Sequence, residues 1–334
     1  MNVLVFGGAG YIGSHTVLDL IKHGHRVTVY DNLSTGSEAN LFPETHFVKG
    51  DILDTENLDR IFKIGAFDAV FHFAALKAAG DSMNQPERYT RHNLEASFNI
   101  INKAVGAGVK YFIFSSSAAV YGSPEYCPID EQHPLNPENF YGYTKLQIER
   151  HLQWFSKLKG MRFAALRYFN AAGYDADMRV KDIEHKTQNL IPVMMEFALG
   201  LRDKLYIFGD DYDTPDGTCI RDYIHVSDLT LAHTQALDYL AEHNQDLIVN
   251  LGTGRGASVK EVVATTEKVI GKKIPYIMSD RREGDPASLF ASSKKASELL
   301  GWEPRHSSLE NMITTTWNIY RHHIETQAAT PETN

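Results

Sequence analysis

The chain has 334 residues, 43% hydrophobic and 22% charged, a balance that supports a large buried core and excludes a disordered chain. Its formal net charge of −9 argues against a general binder of nucleic acid or anionic membrane, so an anionic ligand needs a local cluster of basic groups and backbone donors. No apolar run reaches the ~18–20 residues of a membrane helix, Met1-Asn2 leads straight into Val3–Phe6 without a leader pattern, and Cys127 and Cys219 form neither a disulfide framework nor a metal motif; a cytoplasmic setting and no metal are expected.

In chain order, Asn2–Phe6 is a short apolar strand, and Gly10–His23 has helical spacing (Ile12, Val17, Leu20, Ile21) up to Gly24. Arg26–Tyr30, His46–Val48 and Ala69–Phe73 read as strands. Leu94–Ala107 reads as a helix stopped by Gly108, Tyr111–Phe114 as a strand, Tyr141–Leu158 as a helix and Phe163–Tyr168 as a strand. Strands apolar on both faces, alternating with helices, predict an α/β fold with a Rossmann-type doubly wound parallel sheet. After Tyr174 the alternation fades. Leu190–Gly200, Leu229–His243, Val259–Ile270 and about Ser308–Ile324 read as helices, Leu205–Phe208 as a strand, Gly209–Gly217 as a loop and Glu325–Asn334 as a frayed tail. Residues 1–174 are therefore expected to form one domain. Residues 175–334 would mainly form a second, smaller α/β domain, with some segments returning to the first.

Val3–Phe6 runs into Gly7-Gly8-Ala9-Gly10-Tyr11-Ile12-Gly13 and then a helix. Glycines allow a tight turn and close approach of the backbone to a pyrophosphate, and the helix N-terminus supplies free N–H groups and a positive dipole end. Gly8, Gly10 and Gly13 satisfy G-x-G-x-x-G in the required strand–turn–helix context. Asp31 ends the second strand, where a carboxylate binds both adenosine ribose hydroxyls and repels a 2′-phosphate. No arginine follows it in Asn32–Gly36, which favours NAD over NADP.

Tyr141 and Lys145 form Y-x-x-x-K, on one helix face and within mutual reach. A phenol with an ordinary pKa near 10 is a poor base at neutral pH. A neighbouring ammonium favours the phenolate, which makes Tyr141 a candidate general base for a hydroxyl; Tyr143 is the weaker candidate. Ser115-Ser116-Ser117 emerges from the carboxyl end of an apolar strand, where the ligand crevice of an open α/β sheet lies.

These motifs identify a wider resemblance. GGAGYIGSHT at Gly7–Thr16, GD at Gly50-Asp51, FAALK at Phe73–Lys77, FSSSAAVYG at Phe114–Gly122 and YGYTK at Tyr141–Lys145 are similar to the extended short-chain dehydrogenase/reductase family. RYFNAAG at Arg167–Gly173, DGTCIRDYIHVSDL at Asp216–Leu229 and RREGD at Arg281–Asp285 resemble its branch that epimerises UDP-sugars at C4. The resemblance spans essentially the whole chain. It implies interconversion of UDP-glucose and UDP-galactose through a 4-keto sugar, a tightly retained NAD that is not consumed, and a homodimer.

It also implies residue roles. Tyr11 and Ile12 would contact the pyrophosphate beside Gly7, Gly10 and Gly13. Asp31 would bind the ribose, followed by Asn32, Leu33, Ser34, Thr35 and Gly36, and Asp51 and Ile52 would flank the adenine. Phe73, Ala74, Ala75, Leu76, Lys77, Asn93 and Phe169 would line the cofactor. Lys145 would bond the nicotinamide ribose, Tyr141 would take the 4-hydroxyl proton, and Ser117 would bond the developing ketone oxygen. For the nucleotide sugar, Asn170, Asn189 and Leu190 match binding positions, and Tyr206, Ile207 and Phe208 would flank the uracil. Arg221 and Arg282 would pair with the diphosphate, with Glu283 and Gly284 beside them, and Asp285 would hold the uridine ribose. Leu289 stands where the family places either a large aromatic or a small residue, and its intermediate size suits UDP-glucose better than N-acetylated sugars.

Four other readings compete. A dehydratase would carry an acidic pair after the strand-end hydroxyl, where this chain has Ala118-Ala119. An epimerase for a uronic acid, pentose or N-acetylhexosamine differs only in the sugar pocket. A non-catalytic NAD sensor would have lost Tyr141 or Lys145. A freely exchanging dehydrogenase would release NADH.

Overall fold

The computed structural model describes residues 1–184, 187–282 and 284–329. The first half alternates: β1 (Asn2–Phe6), α1 (Tyr11–Lys22), β2 (Arg26–Asp31), β3 (His46–Lys49), α2 (Thr55–Ile64), β4 (Ala69–His72), α3 (Ala79–Asn84), α4 (Pro86–Tyr89), α5 (Ala96–Gly106), β5 (Tyr111–Ser115), α6 (Phe140–Lys159) and β6 (Arg162–Tyr168). Shorter strands follow, with four longer helices among them: β7 (Asn170–Ala172), α7 (Leu190–Ala198), β8 (Tyr206–Phe208), β9 (Ile220–Arg221), β10 (Tyr223–His225), α8 (Val226–His243), β11 (Leu247–Leu251), β12 (Ala257–Ser258), α9 (Val259–Ile270), β13 (Ile277–Ser279), β14 (Ser288–Leu289), α10 (Lys294–Leu300) and α11 (Leu309–Ala329).

Seven parallel strands form the main sheet in the order β11-β6-β5-β4-β1-β2-β3. Alternate residues feed two cores. Val3, Val5, Val29 and Phe71 face α1 and α8, meeting Val17, Leu20, Leu229 and Leu237. Leu4, Phe6, Val70 and Phe112 face α2, α5 and α6, meeting Leu58, Ile61, Ile100 and Leu152. Each fully buried Leu, Ile or Phe contributes about 1.5–3 kcal/mol against leaving it exposed. The doubly wound sheet read from the sequence is present, and its seventh strand comes from beyond Tyr174.

Several boundaries differ from the sequence reading for local reasons. α2 escaped the sequence reading although Asp54 caps it, accepting from Glu56 N and Asn57 N at 3.1 and 3.0 Å. β11 escaped it too, because a five-residue run after a helix carries little periodicity. The helix expected from Leu94 begins as a π-helical stretch, Thr90–Glu95. α8 begins at Val226, three residues earlier than expected, because the His225 side chain caps it through Ser227 N at 3.0 Å. The tail expected to fray from Glu325 is instead helical to Ala329; Thr330–Asn334 lie outside the described residues.

The sheet order reverses between β4 and β2, on either side of β1. Chain segments leaving β1 and β4 diverge there and open a crevice at the carboxyl edge. Facing it is a third core, with Ile191, Met194 and Met195 of α7, Val262 and Val263 of α9, and Met312, Ile313 and Tyr320 of α11 packed on Ile207 and Tyr223. Its strands form only small sheets, β10-β7, β13-β8 and β12-β9-β14.

Candidate active site

The glycines at the end of β1 are not equivalent. Gly7 has φ +79°, and a Cβ there would lie 2.7 Å from Ala74 N. A Cβ on Gly13 would lie 2.0 Å from Gly7 O. Packing alone therefore requires both. A Cβ on Gly10 would meet only Gly7 O, at 3.4 Å, so the protein itself leaves room there for a ligand to approach. The first turn of α1 carries no acidic residue and no side-chain cap, which keeps its N–H groups and dipole for an anion. Tyr11 and Ile12 open that turn. The Tyr11 side chain turns away to donate to Gly173 O at 2.6 Å and to pack on Tyr174, with ring centroids 5.0 Å apart.

The Asp31 carboxylate is buried and accepts from Ala9 N at 3.0 Å and Leu33 N at 2.8 Å. Burial raises its pKa while the two backbone donors lower it. Leu33, within the Asn32–Gly36 turn, stands at φ 61°, an unusual conformation for a branched residue. Asn32 Nδ2 donates to Asp51 Oδ2 at 3.0 Å, tying the loop after β2 to the loop after β3. The open face at Gly10, the uncapped helix end and Asp31 fit a dinucleotide without a 2′-phosphate.

On the other side of β1, Phe73 N and Ala74 N donate to Phe6 O at 2.9 and 3.2 Å. Asn93, fully buried, braces the following loop: it accepts from Leu76 N and donates to Leu76 O, both at 2.9 Å, and reaches Thr144 Oγ1 at 3.2 Å. Lys77 is paired with Glu184.

The Tyr–Lys pair lies on α6, which Asn139 caps through Gly142 N at 2.8 Å. Lys145 is 3% exposed and donates to Ser115 O at 2.7 Å. Its Nζ lies 5.7 Å from the Tyr141 ring centre and 4.8 Å from that of Phe114. Burial pulls Lys145 down to about 7 and Glu149 opposes this. Burial pushes Tyr141 up to about 12, the Ser117 hydroxyl lowers it and Tyr89 raises it further. In the chain alone desolvation outweighs any help from Lys145, whose ammonium is turned to a carbonyl. Tyr143 is 42% exposed and stacks on Phe140, on the outer side of α6. Ser117 also accepts from Ala119 N at 3.2 Å, at the start of a short 3₁₀ turn.

The residues assigned to the nucleotide sugar lie on the facing wall. Asn170 of β7 donates through N and Nδ2 to Asp222 O at 3.1 and 2.9 Å. Asn189 and Leu190 start α7. On β8, Ile207 is buried in the third core, whereas Tyr206 is 44% exposed and Phe208 carries the Arg282 guanidinium over its ring at 4.1 Å. Arg221 and Asp285, expected on different parts of the ligand, are paired with each other. Leu289 lies beside Arg221 in the β14–β9 register and packs, like Phe169, on the Ala118, Val120 and Tyr121 cluster. Gly284 has φ +74°, and Glu283 lies outside the described residues. The sequence reading missed Glu149 and Arg167; Glu149 is one of several charges along α6 and gives no signal, and Arg167 follows the apolar run of β6.

The chain matches the NAD dependent epimerase/dehydratase family over residues 3–252. It is 47% identical to a Halalkalibacterium halodurans protein named UDP-glucose 4-epimerase, over 97% of this chain and 96% of that one. Among solved structures, UDP-glucose 4-epimerase from Brucella ovis in complex with NAD superposes with a TM-score of 0.93 at 44% identity, covering 96% of this chain and 98% of that one. The enzyme of that name from Bifidobacterium longum, in complex with NAD+ and UDP, gives 0.91 at 36% identity over 97% and 99%. The dinucleotide cradle, the Tyr–Lys pair at its edge and the match along the chain agree, and the protein belongs to the NAD dependent epimerase/dehydratase family.

Proposed function

We propose that the chain interconverts UDP-galactose and UDP-glucose by transient oxidation at sugar C4. The observation that carries this reading is the cluster of Ser117, Tyr141 and Lys145 at the carboxyl end of β5, beside a cradle suited to NAD. When bound, NAD supplies a reversible hydride acceptor. Tyr141 takes the proton of the sugar 4-hydroxyl and later returns it to the same oxygen. Ser117 donates to that oxygen as it becomes a ketone, and Lys145 holds the cofactor ribose and favours the phenolate. Asp31 holds the adenosine ribose. Arg221, Arg282 and Asp285 hold the uridine diphosphate, which leaves the 4-keto sugar free to turn and present its other face. Dehydration is disfavoured because the two residues after Ser117 are alanines.

Purified chain given UDP-galactose without added cofactor should form UDP-glucose by NMR, with no net change in nicotinamide absorbance. No conversion even with NAD present overturns the reading. Leu289 should admit N-acetylated sugars poorly; equal steady-state rates with UDP-N-acetylglucosamine and UDP-glucose refute that. The same proposal includes a homodimer in the cytoplasm. Trp154 and Leu158, exposed on the outer face of α6, support the dimer, and sedimentation tests it. No helix among the described residues is long and apolar enough to cross a membrane.

A further inference from the structure

Three consecutive serines start at the last residue of β5, and each meets a different residue of α6. The Ser117 hydroxyl acts on the Tyr141 phenol. The Ser115 carbonyl accepts from Lys145 Nζ at 2.7 Å. The Ser116 hydroxyl donates to Glu149 Oε1 at 2.5 Å. Tyr141, Lys145 and Glu149 succeed one another at i, i+4 spacing and so form one stripe of the helix.

Glu149 is 1% exposed and its second partner is Arg167 of β6, 3% exposed. Arg167 Nε donates to Oε1 at 2.9 Å and Nη2 to Oε2 at 2.5 Å. Arg167 Nη1 donates to Tyr121 OH at 2.9 Å, and that hydroxyl donates to Asn250 Oδ1 on β11 at 2.6 Å. A buried ion pair returns little more than its desolvation cost, and an apolar pair of similar volume often holds two elements together equally well. An apolar pair cannot supply a fixed negative charge one turn behind Lys145.

We propose that Glu149 is a positioning residue for the reaction: clamped by Ser116 and Arg167, it keeps Lys145 at the Ser115 carbonyl in its ammonium form. This rests on the proposed function, in which Lys145 serves the cofactor ribose and Tyr141. The other groups around Lys145 cannot substitute for Glu149. His72 of β4 is buried and held down to about 3, therefore neutral. Tyr141 is pushed up to about 12. Tyr168 of β6, bonded to Ser115 Oγ at 2.5 Å, is raised by burial. Arg167 is itself a cation and offsets part of the Glu149 charge, and the Phe114 ring brings no net charge. Burial alone draws Lys145 toward its neutral form, and Glu149 opposes it.

The test is Glu149→Gln, which keeps the volume and the oxygen that accepts from Ser116 and Arg167 Nε but removes the charge and the acceptor for Arg167 Nη2. Lys145 is titrated directly by NMR of ¹³Cε-labelled lysines, its signal assigned by its loss in Lys145→Arg. Its midpoint should fall by about one pH unit or more, and the alkaline limb of kcat for UDP-galactose should move to lower pH equally, with KM within about twofold. Glu149→Asp, which keeps the charge, should restore the limb. If Glu149→Gln does not fold, Glu149→Gln combined with Arg167→Met removes both buried charges and should give a smaller shift in the same direction, because the nearer charge to Lys145, one helical turn away, is that of Glu149. An unmoved Lys145 midpoint in a folded variant, or a loss of rate uniform in pH, overturns the proposal. Should the wild-type chain fail to convert UDP-galactose, the proposed function falls, while the Lys145 titration still decides what Glu149 does.

Discussion

The two walls of the cleft are built by different means. On the sheet wall, Asp31, Ser117 and Lys145 sit at the ends of long parallel strands or on a helix packed against them, with buried cores on both faces. On the opposite wall, Arg221, Phe208 and Leu289 come from strands of two or three residues. Two ion pairs also differ in setting. Arg167, behind the sheet wall, is fully buried, whereas the Arg281–Asp211 pair has side chains 46% and 71% exposed. In the proposed function, the contrast places atoms that must meet a proton within a few tenths of an ångström on the sheet side, and the groups assigned to the nucleotide on the side built from short strands.

Tyr141→Phe should expose the contrast most strongly. It removes the proton acceptor and should lower kcat about 10²–10⁴-fold, while thermal melting and UDP affinity stay near wild type. A melting loss as large as the activity loss would show that the sheet wall was disrupted.

The ion pairs should separate the walls by stability. Glu149→Ala leaves Arg167 buried and unpaired and should cost about 3–5 kcal/mol in urea unfolding. Arg281→Ala breaks an exposed pair and should cost less than about 1 kcal/mol. Equal costs would erase the distinction between the walls.

On the second wall, Arg221→Met should raise KM for UDP-galactose about 10–100-fold, from the loss of a charged hydrogen bond worth about 1.5–3 kcal/mol. Its effect on kcat should be much smaller. A kcat loss with unchanged KM would move Arg221 into the chemistry.

Acid should weaken the fold through buried histidines on both sides. Burial pulls His72 and His225 down to about 3, and His15 and His233 to about 4, from an ordinary value of 6.5. The unfolded chain therefore binds protons below about pH 6.5 that the folded chain refuses. Their stabilisation is complete above that pH and is lost as pH falls toward 4 and 3. Denaturation midpoints measured from pH 7 to 4 should fall steadily; a flat profile contradicts the buried neutral state.

Gly10→Ala should be the mildest change to the fold, with melting within about 1 kcal/mol of wild type, but with less NAD retained after purification. Gly13→Ala, forced against Gly7 O, should not fold. Similar folding of the two would mean the open face at Gly10 has no special use.

The amino-acid order by itself determined the first wall. Strands apolar on both faces, Asp31 after a strand, the glycine turn and Y-x-x-x-K are local patterns, because strand and helix periods dictate which residues share a face. The second wall was legible only through motif resemblance, since two-residue strands have no period. Only the tertiary structure decided three further things. Leu247–Leu251 completes the first sheet because long-range pairing with β6 is worth more than proximity in sequence. Asn93 braces the loop at Leu76 because a buried amide must satisfy its hydrogen bonds. Glu149 and Arg167, eighteen residues apart by number, became one buried pair behind Lys145 because α6 lies across β5 and β6, a contact that no local pattern encodes.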